Sequence, residues 1–193
     1  MVTVVPFRAG GKRRLPSEIR AEVALAMLGD VLEAAREVGD TRVVTADPAG
    51  RLVAAELGAT VLDDPGGGQG AAVADALSGV EGICLVVNAD LPRVRPSDLA
   101  ALAVPARLGR IAIVEAADGT TNALGLPLAE VFQPLYGPGS AGAFRAHADS
   151  LDLQSEGLAL RNLVEDVDTL GDLERIGPHG GRRTRALLEV LTR

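Results

Sequence analysis

The sequence predicts an α/β fold: a single domain in which a mostly parallel sheet carries helices on both faces. Apolar segments of strand length alternate with helix-length segments along most of the 193 residues, as expected of strands joined by crossover helices. The strand-like segments are unbroken apolar runs, such as Ile83-Cys84-Leu85-Val86-Val87, which is how strands covered on both faces read. The length suits one domain with one core. With 47% hydrophobic residues but 2% aromatics, that core must be aliphatic.

Residues 2–5 open the chain as a buried strand. Ser17 can cap a helix running to about residue 38, with Val23, Met27, Val31 and Leu32 among its apolar positions and Gly39 as its stop. Residues 42–46 read as a second strand, 48–57 as a helix and 60–62 as a short strand. The glycine stretch 66–70 leads into a helix over 71–77. Residues 83–88 form the clearest strand, which stops at Ala89-Asp90-Leu91-Pro92. A helix begins at Pro96 or Ser97. Residues 110–115 are a further strand and 122–126 are extended. The loop Tyr136-Gly137-Pro138-Gly139-Ser140 precedes a helix over 141–148. The segment 158–167 ends at Asp166-Val167-Asp168-Thr169, ahead of a short helix. Residues 180–193 read as a loosely held helix, an interface or a face whose Arg182, Arg183 and Arg185 meet water.

The net charge of −7 argues against a general nucleic-acid binder, whose affinity rests on clustered cations. It fits an enzyme that holds a divalent metal through carboxylates. One cysteine, Cys84, excludes an internal disulfide and points to a buried core thiol in a reducing cytoplasm. No apolar run approaches the roughly 18 residues of a membrane span, so the chain is expected to be cytoplasmic, without membrane or nucleic-acid partners. The Walker-type phosphate loop and the dinucleotide-binding glycine fingerprint are both absent. Only His147 and His179 could offer imidazole, on a helix and in a polar tail, so histidine catalysis has little support.

Ligands of such sheets bind at the carboxyl ends of the strands, which places three features on one rim. The first is the loop Arg8-Ala9-Gly10-Gly11-Lys12-Arg13-Arg14, which holds the one lysine among 19 basic side chains. A glycine-bearing loop between strand and helix presents N–H groups and cations to phosphates. A coding bias toward arginine explains the scarcity of lysine but not this position. The second is Asp90, at the end of a buried strand and too far before the next helix to serve as its cap; it suits Mg²⁺ held over a nucleotide. The third is Gly66, Gly67 and Gly68, where backbone can approach a flat ligand closely.

Asp166 and Asp168, spaced i and i+2, share one face of an extended segment. They repel unless a cation or a shared proton compensates them, although Asp168 or Thr169 could instead cap the helix that follows. Gly137, Gly139 and Ser140 precede a helix with N–H groups and a hydroxyl suited to an anion. Thr120, Thr121 and Asn122 are small polar residues before an apolar strand, where a turn would also want them.

Together these segments resemble the 2-phospho-L-lactate or phosphoenolpyruvate guanylyltransferases of coenzyme F-420 biosynthesis (the CofC/FbiD family), within the wider MobA-like nucleotidyltransferases. The resemblance runs from about Val4 to about Leu173. Its markers are Lys12-Arg13-Arg14-Leu15, Asp64-Pro65-Gly66-Gly67-Gly68, Ala89-Asp90-Leu91-Pro92, Thr121-Asn122-Ala123-Leu124, Tyr136-Gly137-Pro138-Gly139-Ser140 and Asp166-Val167-Asp168-Thr169. It departs from the family in a shorter first loop, in Arg13 where Ser or Thr is usual, and in Gln69-Gly70 where Leu-Asn is usual.

The resemblance implies a Rossmann-like three-layer sandwich, with residues 1–176 as the nucleotidyltransferase domain and 177–193 as a helical C-terminal tail. It implies transfer of GMP from GTP to the phosphate of a small phosphorylated carboxylic acid, with loss of pyrophosphate. Asp90, Asp166 and Asp168 then hold two Mg²⁺ ions, while Lys12 and Arg14 contact the triphosphate. Gly10, Gly11, Gly66, Gly67 and Gly68 line the nucleotide; Thr121, Gly137 and Ser140 hold the acid. A following enzyme that accepts a labile product is an implied partner. The rivals are a molybdenum-cofactor guanylyltransferase, a cytidylyltransferase of the same fold, or a binding domain without catalysis.

Overall fold

The computed structural model describes residues 1–8, 10 and 14–191. Among them, seven strands form one sheet: β1 (Val2–Pro6), β2 (Asp40–Val44), β3 (Thr60–Leu62), β4 (Cys84–Val87), β5 (Ile111–Glu115), β6 (Thr121–Leu126) and β7 (Ser155–Gly157). Their order is β3-β2-β1-β4-β6-β5-β7. β6 runs antiparallel to β4 and to β5, and the other pairings are parallel. The helices are α1 (Ser17–Arg36), α2 (Pro48–Glu56), α3 (Gln69–Leu77), α4 (Pro96–Arg107), α5 (Ser140–Ser150), α6 (Arg161–Val164), α7 (Leu170–Ile176) and α8 (Arg182–Leu191).

Side-chain alternation along the strands builds two cores, one on each face. Val5, Leu85, Val87, Ala112 and Val114 pack beneath α1, α2 and α4. Val4, Cys84, Val86, Ile111 and Ile113 pack beneath α3 and α5. The result is the expected three-layer sandwich of aliphatic side chains. Gly125 of β6 lets α4 approach closely, because a Cβ there would lie 2.5 Å from the Leu102 carbonyl oxygen. Burial pushes the Cys84 thiol up to about 11, consistent with a core thiol rather than a reactive one. No helix among the described residues is long and apolar enough to cross a membrane.

Local details differ from the sequence reading. Pro16, not Ser17, occupies the α1 N-cap, and the Ser17 hydroxyl donates to Glu18 at 3.0 Å. α1 ends at Arg36, and Gly39 matters for space: a Cβ there would lie 2.5 Å from the Met1 carbonyl oxygen. β7 and α6 lie in stretches that carry no strand or helix pattern.

A third core joins Leu15, Val23, Met27, Val167, Leu173 and Ile176, with Leu187 and Leu188 packed against it. It binds α7 and α8 to α1. The buried Asp30 of α1 caps α8 from outside, its carboxylate accepting the Arg183 N–H at 2.8 Å and the Thr184 N–H at 3.0 Å. Arg182 and Arg183 pair with Glu33 at 2.9 and 2.8 Å. The Gly181 N–H donates to the Pro92 carbonyl at 2.6 Å, which ties the start of α8 to the turn after β4.

Candidate active site

The rim at the carboxyl ends of β1, β3 and β4 surrounds a cavity of about 310 Å³, within the range of small-ligand clefts. Phe7 and Arg8 after β1, Asp64 after β3, Gln69 of α3, and Asn88 and Asp90 after β4 line it. Arg8 holds Asp64 across the opening, donating from two nitrogens at 2.8 and 2.9 Å. The other Asp64 oxygen accepts the Gly66 N–H at 2.9 Å. Gly66, Gly67 and Gly68 follow with φ of 82°, 78° and 97°. A run of three left-handed residues is open only to glycine at low cost, so this turn depends on its composition.

Asp90, Asp166 and Asp168 meet: an oxygen from each lies within 4.8 Å of the others. Two features of the chain force this. The Val167 N–H donates to the Asp90 carbonyl oxygen at 3.2 Å, stitching the two loops together. The Val167 side chain is fully buried in the third core, so the alternating neighbours turn the other way, toward Asp90. The helix cap is made by Thr169, which accepts the Asp172 N–H at 3.1 Å while Asp172 accepts the Thr169 N–H at 3.0 Å. Capping therefore makes no call on Asp168. Three half-buried carboxylates offer the kind of oxygen donors that could hold a hard divalent cation. Arg14 brings a cation to the same place, 3.9 Å from Asp168, with most of its side chain in water.

The antiparallel course of β6 delivers Thr121 to the same rim, since Val87 pairs with Ala123. Thr121 and Ser140 are both buried, and the Ser140 hydroxyl donates to the Thr121 hydroxyl at 3.0 Å. Gly139, with φ of 71°, is the N-cap of α5. Gly137 is exposed at φ 136°. Tyr136 anchors this loop by an edge contact with Phe144 at 5.4 Å between centroids, and burial pushes its phenol well up, so it stays neutral. Gly10 is exposed, with no atom near enough to explain it by packing. Gly11 and Lys12 lie outside the described residues.

Sequence reasoning names Gln69 and Asn122 separately but does not connect the amides that join these parts. Gln69 donates to Asn88 Oδ1 at 2.8 Å. Asn88 Nδ2 donates to the Thr121 carbonyl at 3.2 Å and to Asn122 Oδ1 at 3.4 Å. Asn122 Nδ2 donates to the carbonyls of Leu163 and Val164 at 3.0 and 3.1 Å. Asn88, the polar residue between an apolar run and Asp90, was the visible signal. Asn122 is 2% exposed and fixes the end of α6, just ahead of Asp166. Asn122→Ala strands two carbonyls and is expected to cost about 2–4 kcal/mol. Where the three carboxylates hold a metal, it should also lower activity roughly 10–100-fold, the size of losses behind metal ligands; thermal melts and turnover check both.

Comparison with known proteins agrees with this geometry. The family profile of the MobA-like NTP transferase domain matches residues 10–167. A Nocardia farcinica protein named phosphoenolpyruvate guanylyltransferase is 39% identical, over 91% of this chain and 82% of its own. A Streptomyces coelicolor protein of the same name is 35% identical, over 95% of this chain and 93% of its own. The solved structure of a Methanothermobacter nucleotidyl transferase superposes with a TM-score of 0.71 at 19% identity, over 96% of this chain and 99% of that one, a likeness of fold. The chain belongs to the MobA-like NTP transferases and, among them, to the phosphoenolpyruvate guanylyltransferase family.

Proposed function

We propose that this chain transfers GMP from GTP onto the phosphate of phosphoenolpyruvate, releasing pyrophosphate, as a step of coenzyme F-420 biosynthesis. Membership of the family supports the reaction class, and the name its relatives carry supports the acceptor. The observation that carries the reading is the meeting of Asp90, Asp166 and Asp168 at the cavity's edge. These three would hold two Mg²⁺ ions. Bound there, Mg²⁺ would neutralise the phosphates and draw charge from the α-phosphorus.

The chain's own residues then have to position and to exclude. An oxygen of the acceptor phosphate forms the new bond to the α-phosphorus, and the α–β bridging bond breaks with its electrons leaving on pyrophosphate. The nucleophile is already an anion, so no protein base is required. His147 fits this, since its ring is engaged by the Val131 carbonyl at 2.9 Å. Lys12 and Arg14 supply positive charge to the β- and γ-phosphates, and Gly10, Gly11 and the Gly66, Gly67 and Gly68 turn line the nucleotide. Thr121, Gly137 and Ser140 hold the acid, with the paired hydroxyls of Thr121 and Ser140 offering one remaining O–H donor. Catalysis is orientation plus charge neutralisation. The product is a mixed phosphoanhydride, which favours an enzyme that consumes it directly as partner; the lone buried cysteine suits a cytoplasmic setting.

Pyrophosphate release with Mg²⁺, GTP and phosphoenolpyruvate or 2-phospho-L-lactate, beside ATP and CTP, tests the proposal. Release with GTP and phosphoenolpyruvate is expected; release with GTP and 2-phospho-L-lactate alone would keep the reaction class and overturn the acceptor. Release with CTP instead, or with none of these pairs, would overturn it.

A further inference from the structure

We infer that Gln69 selects the nucleoside of GTP, accepting a hydrogen bond from it through a carbonyl oxygen whose direction the fold imposes. This rests on the guanylyltransferase reading of the cavity. In the run Gly66-Gly67-Gly68-Gln69-Gly70 only Gln69 has a side chain. Position 70 cannot supply one, because a Cβ there would lie 2.6 Å from the Pro134 Cβ and 2.9 Å from its Cα. Any side-chain reading of a ligand by this turn therefore falls to Gln69, which lines the cavity.

The orientation follows from a chain of amides whose polarity is set at its far end. The carbonyls of Leu163 and Val164 can only accept, so Asn122 must turn both N–H groups toward them. Asn122 then offers its oxygen to Asn88, whose two N–H groups go to that oxygen and to the Thr121 carbonyl. Asn88 is left with its oxygen facing Gln69, which must answer with an N–H. Reversing Gln69 would set oxygen against oxygen at 2.8 Å. The Gln69 carbonyl oxygen thus stands on the side away from Asn88, as an acceptor for a donor of the nucleoside. Asp64 already accepts from Arg8 and from the Gly66 N–H, and the Asn88 oxygen already accepts from Gln69. Among the described polar side chains of this cavity outside the carboxylate cluster, Gln69 is the one whose carbonyl oxygen accepts no hydrogen bond from another described residue.

Guanosine offers donors on its base (N1–H and the exocyclic amine) and on its ribose (two hydroxyls). Calorimetric binding of GTP, inosine triphosphate, 1-methyl-GTP, 2′-deoxy-GTP and 3′-deoxy-GTP, to the protein and to Gln69→Met, separates them. Gln69→Met is expected to bind GTP about tenfold more weakly. The analogue that lacks the partner donor should bind both proteins equally, while the others keep the tenfold gap. A gap that closes for inosine triphosphate or 1-methyl-GTP alone places the partner on the base; one that closes for a deoxy analogue alone places it on the ribose. Unchanged GTP binding by Gln69→Met, or an equal loss with every analogue, overturns the inference. Pyrophosphate release by the unaltered chain reports separately on the reaction. Weakened binding without any release would sink the activity and keep the inference.

Discussion

Asp90→Asn is expected to lower guanylyl transfer at least about a thousand-fold, since under the proposed reaction it removes one of the three carboxylates that would hold Mg²⁺ against the reacting phosphates. The backbone should not register the change. The Asp90 carbonyl that accepts the Val167 N–H is retained, and the side chain keeps its volume. Stability carries a second signature. Three carboxylates within 4.8 Å repel one another when no cation lies between them. In chelator the asparagine variant should therefore melt at the same temperature as the unaltered chain or above it. Added Mg²⁺ should raise the melting temperature of the unaltered chain clearly and that of the variant little, because a ligand stabilises only the state that binds it. Asp166→Asn and Asp168→Asn should behave alike. Retained turnover in all three variants would remove the carboxylates from the mechanism. A lowered melting point in chelator would make Asp90 a structural acceptor instead.

The parts legible in the sequence are those whose cause is local. β4 reads as a strand because Cys84-Leu85-Val86-Val87 is buried on both faces, and its end is marked where Asn88 and Asp90 interrupt the apolar run. The facing of Asp166 and Asp168 follows from the two-residue period, with Val167 between them taken by the core. β7 was not legible because Ser155-Glu156-Gly157 has no apolar period: it is an edge strand beside β5, with Glu156 held by Arg110 at 3.1 Å. The reversed direction of β6 was hidden for another reason. An apolar run records burial on both faces, not polarity, so nothing in Thr121-Asn122-Ala123-Leu124-Gly125-Leu126 tells parallel from antiparallel. The amide chain was equally hidden, since it joins residues 19 and 34 positions apart. Taken singly, Asn88 reads as the end of a strand, Asn122 as a turn residue and Gln69 as a departure from the family pattern.

Asp30→Ala is expected to destabilise the fold strongly, with a pH dependence that identifies its cause. Its carboxylate sits on the core side of α1 and accepts two N–H groups from the first turn of α8, more than 150 residues away. Truncation leaves both donors buried without acceptors and should cost about 3 kcal/mol. That corresponds to roughly 6–12 °C in melting temperature. The cost depends on pH in a definite direction. Burial raises the Asp30 carboxyl above the ordinary 3.8, outweighing the hydrogen bonds from Thr184 and Arg183 that pull it down. A group raised in the folded state contributes fully below its unfolded value, and that contribution is lost as pH rises through the folded one. The stability gap between the unaltered chain and Asp30→Ala should thus be widest at acid pH and narrow toward neutrality; denaturant melts across that range decide it, and a gap that widened instead would mean that the charged cap outweighs its burial. The consequence reaches the site. α8 begins beside Gly181, which holds the Pro92 carbonyl, and α8 covers the small core into which Val167 is fastened. Loosening α8 frees both loops that carry the carboxylates, so under the proposed reaction Asp30→Ala should need more Mg²⁺ for half-maximal turnover, although Asp30 touches neither the carboxylate cluster nor the cavity.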